Sequence, residues 1–223
     1  ENGRVIDEPG HPFRTGLREL AKFHRGTFRL TPNQHIIVSD VAPADKPRVE
    51  AHLREYKMDQ WNLSGLRTSA SACVAFPTCG LAMAESERYI FRLIDKIEPI
   101  FLASGLNRDE ITLRMTGCPN GCARPWVAEI AFVGKAPNSY LMLLGGGHAG
   151  QRLNKIFRDN VGEEEIVQIL GVLIPRYAQE RLPGERFGDW VIRAGIVAPT
   201  TSGAAFYDHC LLYTSPSPRD KRQ

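Results

Sequence analysis

Four of the five cysteines in this 223-residue chain stand in two short runs, Cys73-Val74-Ala75-Phe76-Pro77-Thr78-Cys79 and Thr116-Gly117-Cys118-Pro119-Asn120-Gly121-Cys122. Any fold of the chain must place these runs somewhere, and their residue types limit the choices. Five cysteines are too few for a disulfide-dense secreted scaffold, and pairing into short clusters is the habit of metal ligands in a reducing compartment, so the cytoplasm is the expected location. Soft thiolates from two loops suit an iron–sulfur cluster, whose separate iron corners need ligands spaced more widely than one tetrahedral zinc ion does. Spacing alone leaves a zinc site, buried structural cysteines or one disulfide open. Gly117 and Gly121 favour the cluster, because glycine lets backbone approach a cofactor and turn N–H groups towards sulfur.

The rest of the chain reads as an ordinary globular protein, 43% hydrophobic and 24% charged with a net charge of +3. So small an excess, with Arg4, Arg14, Arg67, Arg114, Arg124 and Arg193 scattered along the chain, gives no reason to expect nucleic acid as a partner. The longest apolar stretch, Ile166 to Ile174, falls well short of the roughly 20 residues of a membrane span, so no membrane is expected either. The first residue is Glu, and residues 1–16 resemble neither a signal nor a transit peptide, which suggests that the true start lies upstream.

Pro12 can open a helix carrying Leu17, Leu20, Ala21 and His24 at helical spacing, with Gly26 to stop it. Thr27 to Leu30 and His35 to Val38 read as strands around Thr31-Pro32-Asn33-Gln34, and Pro43 to Met58 as a second helix. Beyond Arg67, helices are expected over Ala82 to Ile97, with Glu85, Glu87 and Arg88 facing water, and over Glu163 to Tyr177, with strands at Ile111 to Met115, Ala128 to Val133 and Ser139 to Leu144. This order predicts an α+β protein: a half-domain over residues 1–58 and a second α+β domain over residues 67–208, with the cysteines in loops at element ends. Residues 209–223, containing Ser215-Pro216-Ser217-Pro218, differ in style from what precedes them, resemble a translated adaptor and are expected to be disordered, which sets Cys210 aside.

The two cysteine runs, with Gly80-Leu81-Ala82-Met83-Ala84-Glu85-Ser86-Glu87-Arg88 after the first, closely resemble the signature of the siroheme sulfite and nitrite reductase family. The resemblance runs from Glu1-Asn2-Gly3-Arg4 through Gly184-Glu185-Arg186-Phe187-Gly188-Asp189-Trp190 to about Asp208. It implies that residues 1–58 are a ferredoxin-like half-domain and residues 67–208 a siroheme and 4Fe-4S binding domain. It implies too that Cys73, Cys79, Cys118 and Cys122 hold the cluster, that Cys122 bridges to the siroheme iron, and that sulfite is reduced to sulfide by six electrons. The Phe76-Pro77-Thr78 filling looks like the sulfite enzymes rather than the nitrite enzymes. The branch resembled takes electrons from NADPH through a separate flavoprotein alpha subunit, which implies a hetero-oligomer; a ferredoxin-dependent sulfite or nitrite reductase is the alternative. A non-catalytic zinc-binding or interaction module is the alternative of another class.

Siroheme carries eight carboxylates, so Arg114, Arg124, Asn120 and Gln34 are candidates to meet them. Lys135 and the N–H groups of Gly145-Gly146-Gly147 are weaker ones. His35 and His148 read as structural rather than as iron ligands, and Trp61, Trp126 and Trp190 as core or interface. In the family the basic residues that hold sulfite come from an N-terminal half that this chain lacks, so the chain alone is expected not to reduce sulfite and to leave an apolar face of the half-domain exposed.

Overall fold

The computed structural model describes residues 4–59 and 63–207. The chain divides into two compact units, residues 1–63 and 64–223. Trp61 and residues 209–223 with Cys210 lie outside the described residues.

The first unit contains β1 (Asp7–Glu8), β2 (His11–Pro12), α1 (Phe13–Phe23), β3 (Thr27–Leu30), β4 (Ile36–Ser39) and α2 (Lys46–Glu55). Pro12 sits immediately before α1, where a missing N–H costs nothing. Asp7 also serves this end, its carboxylate accepting the backbone N–H and the hydroxyl of Thr15, both at 2.9 Å. The two helices meet tightly. A Cβ on Gly16 would lie 2.8 Å from that of Tyr56, His52 Nε2 is 2.8 Å from the Gly16 carbonyl oxygen, and Leu20 and Val49 are buried. The second helix is shorter than its sequence suggested, because Pro47 allows only the first turn around it and the backbone leaves the helix at Tyr56.

Strands β3 and β4 pair as an antiparallel hairpin with Phe28 opposite Val38 and Leu30 opposite Ile36. Side chains alternate along a strand, so these four share one face. Three of them are exposed: Leu30 at 81%, Phe28 at 40% and Ile36 at 37%. An apolar strand face is thus left in water.

The second unit is built on a five-stranded sheet in the order β5 (Ser71–Ala72), β6 (Leu113–Thr116), β7 (Ile130–Ala136), β8 (Ser139–Leu144) and β9 (Lys155–Val161). The β5–β6 and β6–β7 pairs are parallel, and the remaining two are antiparallel. Around the sheet lie α3 (Gly65–Ser69), α4 (Glu87–Ala103), a 3-10 turn at Pro125–Val127, α5 (Glu163–Glu180), α6 (Phe187–Arg193) and α7 (Gly203–Tyr207). Alternation sorts the strands into two faces: Leu113, Met115, Ile130, Phe132, Tyr140, Met142 and Leu144 join the main core with residues of α4, α5 and α6, while Ala131, Val133, Leu141 and Leu143 form a smaller cluster opposite. Trp190 is fully buried in the main core and Trp126 packs partly buried against the smaller one.

Both ends of the helix expected over Ala82 to Ile97 differ from the sequence reading. The helix expected from Ala82 begins only at Glu87, because the N–H groups of Met83 and Ala84 both go to the Gly117 carbonyl and the Ser86 hydroxyl donates to that of Met115. Glu87 is consequently buried rather than water-facing. At its other end α4 continues through Pro99 to Ala103, since Ile97 and Phe101 are buried on the same stripe and their packing outweighs one lost backbone bond.

Glu129, fully buried before β7, ties three segments together. Its carboxylate accepts the Thr112 N–H at 2.9 Å and the Gly188 N–H at 3.1 Å, and His148 Nδ1 lies 3.0 Å away. Glu129→Leu would leave two buried N–H groups without acceptors, and we expect it to lower stability by about 3–5 kcal/mol in urea unfolding. On the first unit, replacing Leu30 and Ile36 together by lysine should shift sedimentation of the chain towards monomer, because it charges the exposed hairpin face without touching the α1–α2 core.

Candidate functional site

Strands β5 and β6 run the same way, so the loops that leave their C-terminal ends emerge side by side. The first carries Cys73 and Cys79, the second Cys118 and Cys122. The strand pairing extends one step into the loop, with the Cys73 N–H donating to the Met115 carbonyl at 3.1 Å. Parallel sheets present their ligand sites at this end for the same geometric reason.

The two loops are then stitched together through Gly117. Its N–H donates to Cys73 Sγ at 3.1 Å, and its carbonyl accepts from Met83 and Ala84. A Cβ at this position would lie 2.7 Å from both the Ala75 Cβ and the Ala84 carbonyl oxygen. Gly117 is therefore glycine because of crowding, whereas Gly121, at φ +66°, is the one whose backbone conformation requires it. The first loop has its own left-handed residue in Ala75, and the Cys79 N–H closes back onto the Ala75 carbonyl at 2.8 Å.

All four cysteines are free thiols, Cys118 buried, Cys73 and Cys79 half-buried and Cys122 exposed. Burial pushes the Cys118 thiol up, the Asn120 backbone N–H pulls it back, and the nearby Cys73, Cys122 and Cys79 sulfurs push it further up, so all three lie close enough to act on Cys118. Among the described residues no three His, Cys, Asp or Glu side chains converge closely enough to hold one metal ion. The thiols are neighbours without meeting at a point.

Beside the second loop stands a second chemical element. Arg114, on β6, is only 8% exposed; it donates through one terminal nitrogen to the Arg124 carbonyl at 3.1 Å, and its Nε has no hydrogen-bond partner. Burial, and then the charge of Arg124, hold its guanidinium below the ordinary arginine range. A buried cation facing another cation is costly unless an anion completes the site. Arg124 itself adopts the left-handed conformation, at φ 56°, where the chain turns into the 3-10 segment. The structure thus brings Cys73, Cys79, Cys118, Cys122, Asn120, Arg114 and Arg124 into one region of the second unit. Gln34 belongs to the first unit, where it occupies the exposed tip of the β3–β4 hairpin at φ 65°.

The weaker candidates have other employment. Lys135 donates to the carboxylate and carbonyl of Asp159, both at 3.0 Å. The Gly145 and Gly147 N–H groups go to the carbonyls of Glu129 and Arg152, and the run packs so closely that a Cβ on Gly188 would lie 2.0 Å from the Gly146 carbonyl oxygen. His148 is occupied with Glu129, and the His35 N–H donates to the Thr31 hydroxyl at 3.1 Å. Sequence reasoning missed Ser86 and Tyr140, whose hydroxyls donate to the carbonyls of Met115 and Glu85 and brace the backbone behind the cysteine loops. Isolated hydroxyls within apolar runs give no local signal of that task.

The family model described as the nitrite/sulfite reductase ferredoxin-like half domain matches residues 1–56. The chain is 55% identical over 209 residues to the sulfite reductase (NADPH) hemoprotein beta-component of Afipia carboxidovorans, which covers 93% of this chain and 36% of that protein. It is 56% identical over 209 residues to the protein of the same name from Geobacillus kaustophilus, with the same coverage. Among solved structures, the NirA protein of Mycobacterium tuberculosis superposes with a TM-score of 0.66 at 26% identity, over 80% of this chain and 35% of that one. The chain spans about a third of the length of the curated relatives it matches. Residues 1–56 thus match a half-domain of the nitrite and sulfite reductases, and more than half the residues across nearly all the chain's length are shared with sulfite reductase hemoprotein components.

Proposed function

We propose that the chain is the cluster-bearing part of a sulfite reductase hemoprotein, an oxidoreductase that takes sulfite to sulfide by six electrons. Cys73, Cys79, Cys118 and Cys122 hold a 4Fe-4S cluster, Cys122 also reaches the iron of a siroheme, and Arg114, Arg124, Asn120 and Gln34 meet the siroheme carboxylates. The single observation that carries this reading is the Gly117 N–H directed at Cys73 Sγ between two adjacent loops that each present two thiols. Amide donors to sulfur offset the negative charge that thiolate ligands gather.

The donor set fits the group. Four soft sulfurs spread around a common region suit a cluster with separate iron corners better than one tetrahedral ion. Cys122, exposed where Cys118 is buried, is the thiol with room for a second metal centre. Arg114 supplies a buried cation with an unused donor, which a carboxylate from the macrocycle completes. When bound, the paired cofactors supply electron storage and a metal site for sulfite, chemistry that no side chain offers. The protein's own part is to hold the two loops in register through β5–β6, to keep the Cys118 side of the site away from water and to offset charge through Gly117. Because the relatives are named as the beta-component of an NADPH enzyme, we read an alpha subunit as the electron source and a hetero-oligomer as the working assembly.

After anaerobic reconstitution we expect about four irons and matching acid-labile sulfide per chain. Cys118→Ser should lose most of both, and Gly117→Ala should lose occupancy with little loss of fold, since its methyl group wedges the loops apart. One zinc, or no metal, in a folded sample would replace this reading with a structural module. Titrating siroheme into the reconstituted chain and following its visible absorption tests the arginine: Arg114→Gln should weaken uptake by roughly tenfold or more, the equivalent of one charged hydrogen bond.

A further inference from the structure

From Cys118 to β7 the backbone is a run of tight turns. The Gly121 N–H bonds the Cys118 carbonyl at 3.3 Å, the Arg124 N–H the Gly121 carbonyl at 2.7 Å, and the Ala128 N–H the Pro125 carbonyl at 3.1 Å. Turns joined end to end have few bonds of their own, so their position depends on what packs against them. The last turn is held by Asn154, which is fully buried: its side-chain amide donates to the carbonyls of Pro125 at 2.7 Å and Ala128 at 3.0 Å, and its backbone N–H to that of Trp126 at 2.9 Å. So anchored, the Trp126 indole lies directly against the cysteine loop. A Cβ on Gly121 would stand 2.6 Å from Trp126 Nε1.

The same indole is met by a segment distant in sequence. Beyond α6, residues 200–206 fold back onto β9 and the 3-10 turn. Phe206 lies edge-to-face with Trp126, ring centres 5.7 Å apart and planes at 85°, a geometry that aromatic pairs favour. The segment is tied down at both ends: the Thr200 hydroxyl donates to the Asn154 carbonyl at 3.1 Å, and the Lys155 ammonium to the Ala205 carbonyl. Ser202 shapes the turn that presents the ring, its hydroxyl accepting the Ala205 N–H at 3.1 Å and its carbonyl the Phe206 N–H at 3.2 Å.

We propose that residues 200–206 are a strap that acts through Trp126 to position the second cysteine loop, with Phe206 and Trp126 as its positioning residues. The ring of Phe206 fixes the indole, the indole fixes Gly121, and Gly121 sets where Cys118 and Cys122 stand relative to each other. Neither ring touches a thiol. What the strap controls is how often the loop opens, and therefore how firmly a metal centre on its two sulfurs is held. That last consequence rests on the cluster reading above; the control of loop opening does not.

The test uses the full 223-residue chain and measures alkylation of each cysteine by iodoacetamide, resolved by mass spectrometry, before any metal is added. Cys118 is buried, so its rate reports opening of the loop. Phe206→Ala should speed Cys118 alkylation about fivefold, the size of one lost aromatic contact, and leave the Cys79 rate in the first loop unchanged. Phe206→Tyr, which keeps the ring, should behave as the parent, and Lys155→Met should give a smaller rise. Trp126→Leu should speed Cys118 at least as much, and adding Phe206→Ala to it should change the rate by less than about twofold, since the strap then has nothing to act through. In the chain reconstituted with iron and sulfide, Phe206→Ala should release iron to a chelator several times faster, with Phe206→Tyr again like the parent. An unchanged Cys118 rate in Phe206→Ala, an equal rise at Cys79, or full additivity with Trp126→Leu would overturn the strap. Faster alkylation with unchanged iron release would overturn its service to the metal site. A chain that takes up no iron would sink the cluster reading, and the alkylation rates would still decide whether the strap holds the loop.

Discussion

The parallel pairing of β5 with β6 is the contact on which the rest of the second unit depends. Only two residues of β5 take part, Ser71 and Ala72 against Arg114 and Met115. Yet because the strands run the same way, Cys73 and Cys118 leave the sheet at the same edge, and an antiparallel pairing would have sent them to opposite ends. So short a ladder is weak on its own. It is held by α4, which bridges the two strands in sequence and buries Ile90, Leu93, Ile94 and Ile97 in the main core, and by Ser86, which bonds the Met115 carbonyl. The apolar burial of one helix thereby fixes the position of four sulfurs.

Around this contact the two faces of β6 are divided between stability and chemistry. Leu113 and Met115 point into the main core, while Arg114 and Thr116 point to the other side, where Arg114 Nε and Thr116 Oγ1 are buried without hydrogen-bond partners. Native interiors rarely tolerate such groups, and where they persist they mark a place at which another molecule completes the bonding. By contrast Glu129, equally buried, is fully engaged with Thr112, Gly188 and His148. A satisfied buried carboxylate reads as architecture, and an unsatisfied buried guanidinium beside a cysteine loop as part of a site.

The two units leave different surfaces in water. In the first, the hairpin face of Phe28, Leu30 and Ile36 is apolar and exposed. In the second, the outer face of α4 exposes Arg92 and Lys96.

Much of this was legible in the residues. The helix after Pro12, the hairpin around Asn33-Gln34, the strand Ser139–Leu144 and the helix starting at Glu163 follow from local periodicity and turn chemistry, which depend only on near neighbours. The two cysteine runs were legible as loops at the ends of elements, since their glycines and prolines break regular structure. The delayed start of α4 was not, because Met83 and Ala84 bond a carbonyl more than thirty residues away; nor was the reason for Gly117, which is the nearness of Ala75 and Ala84. The glycine run 145–147 looked like free backbone donors until folding committed them to Glu129 and Arg152. What the sequence determined by itself was the inventory of chemistry and the local elements. Which strands run parallel, which N–H faces a sulfur and which arginine is buried without an anion were decided only in the tertiary structure, since each is a long-range contact that no local pattern encodes.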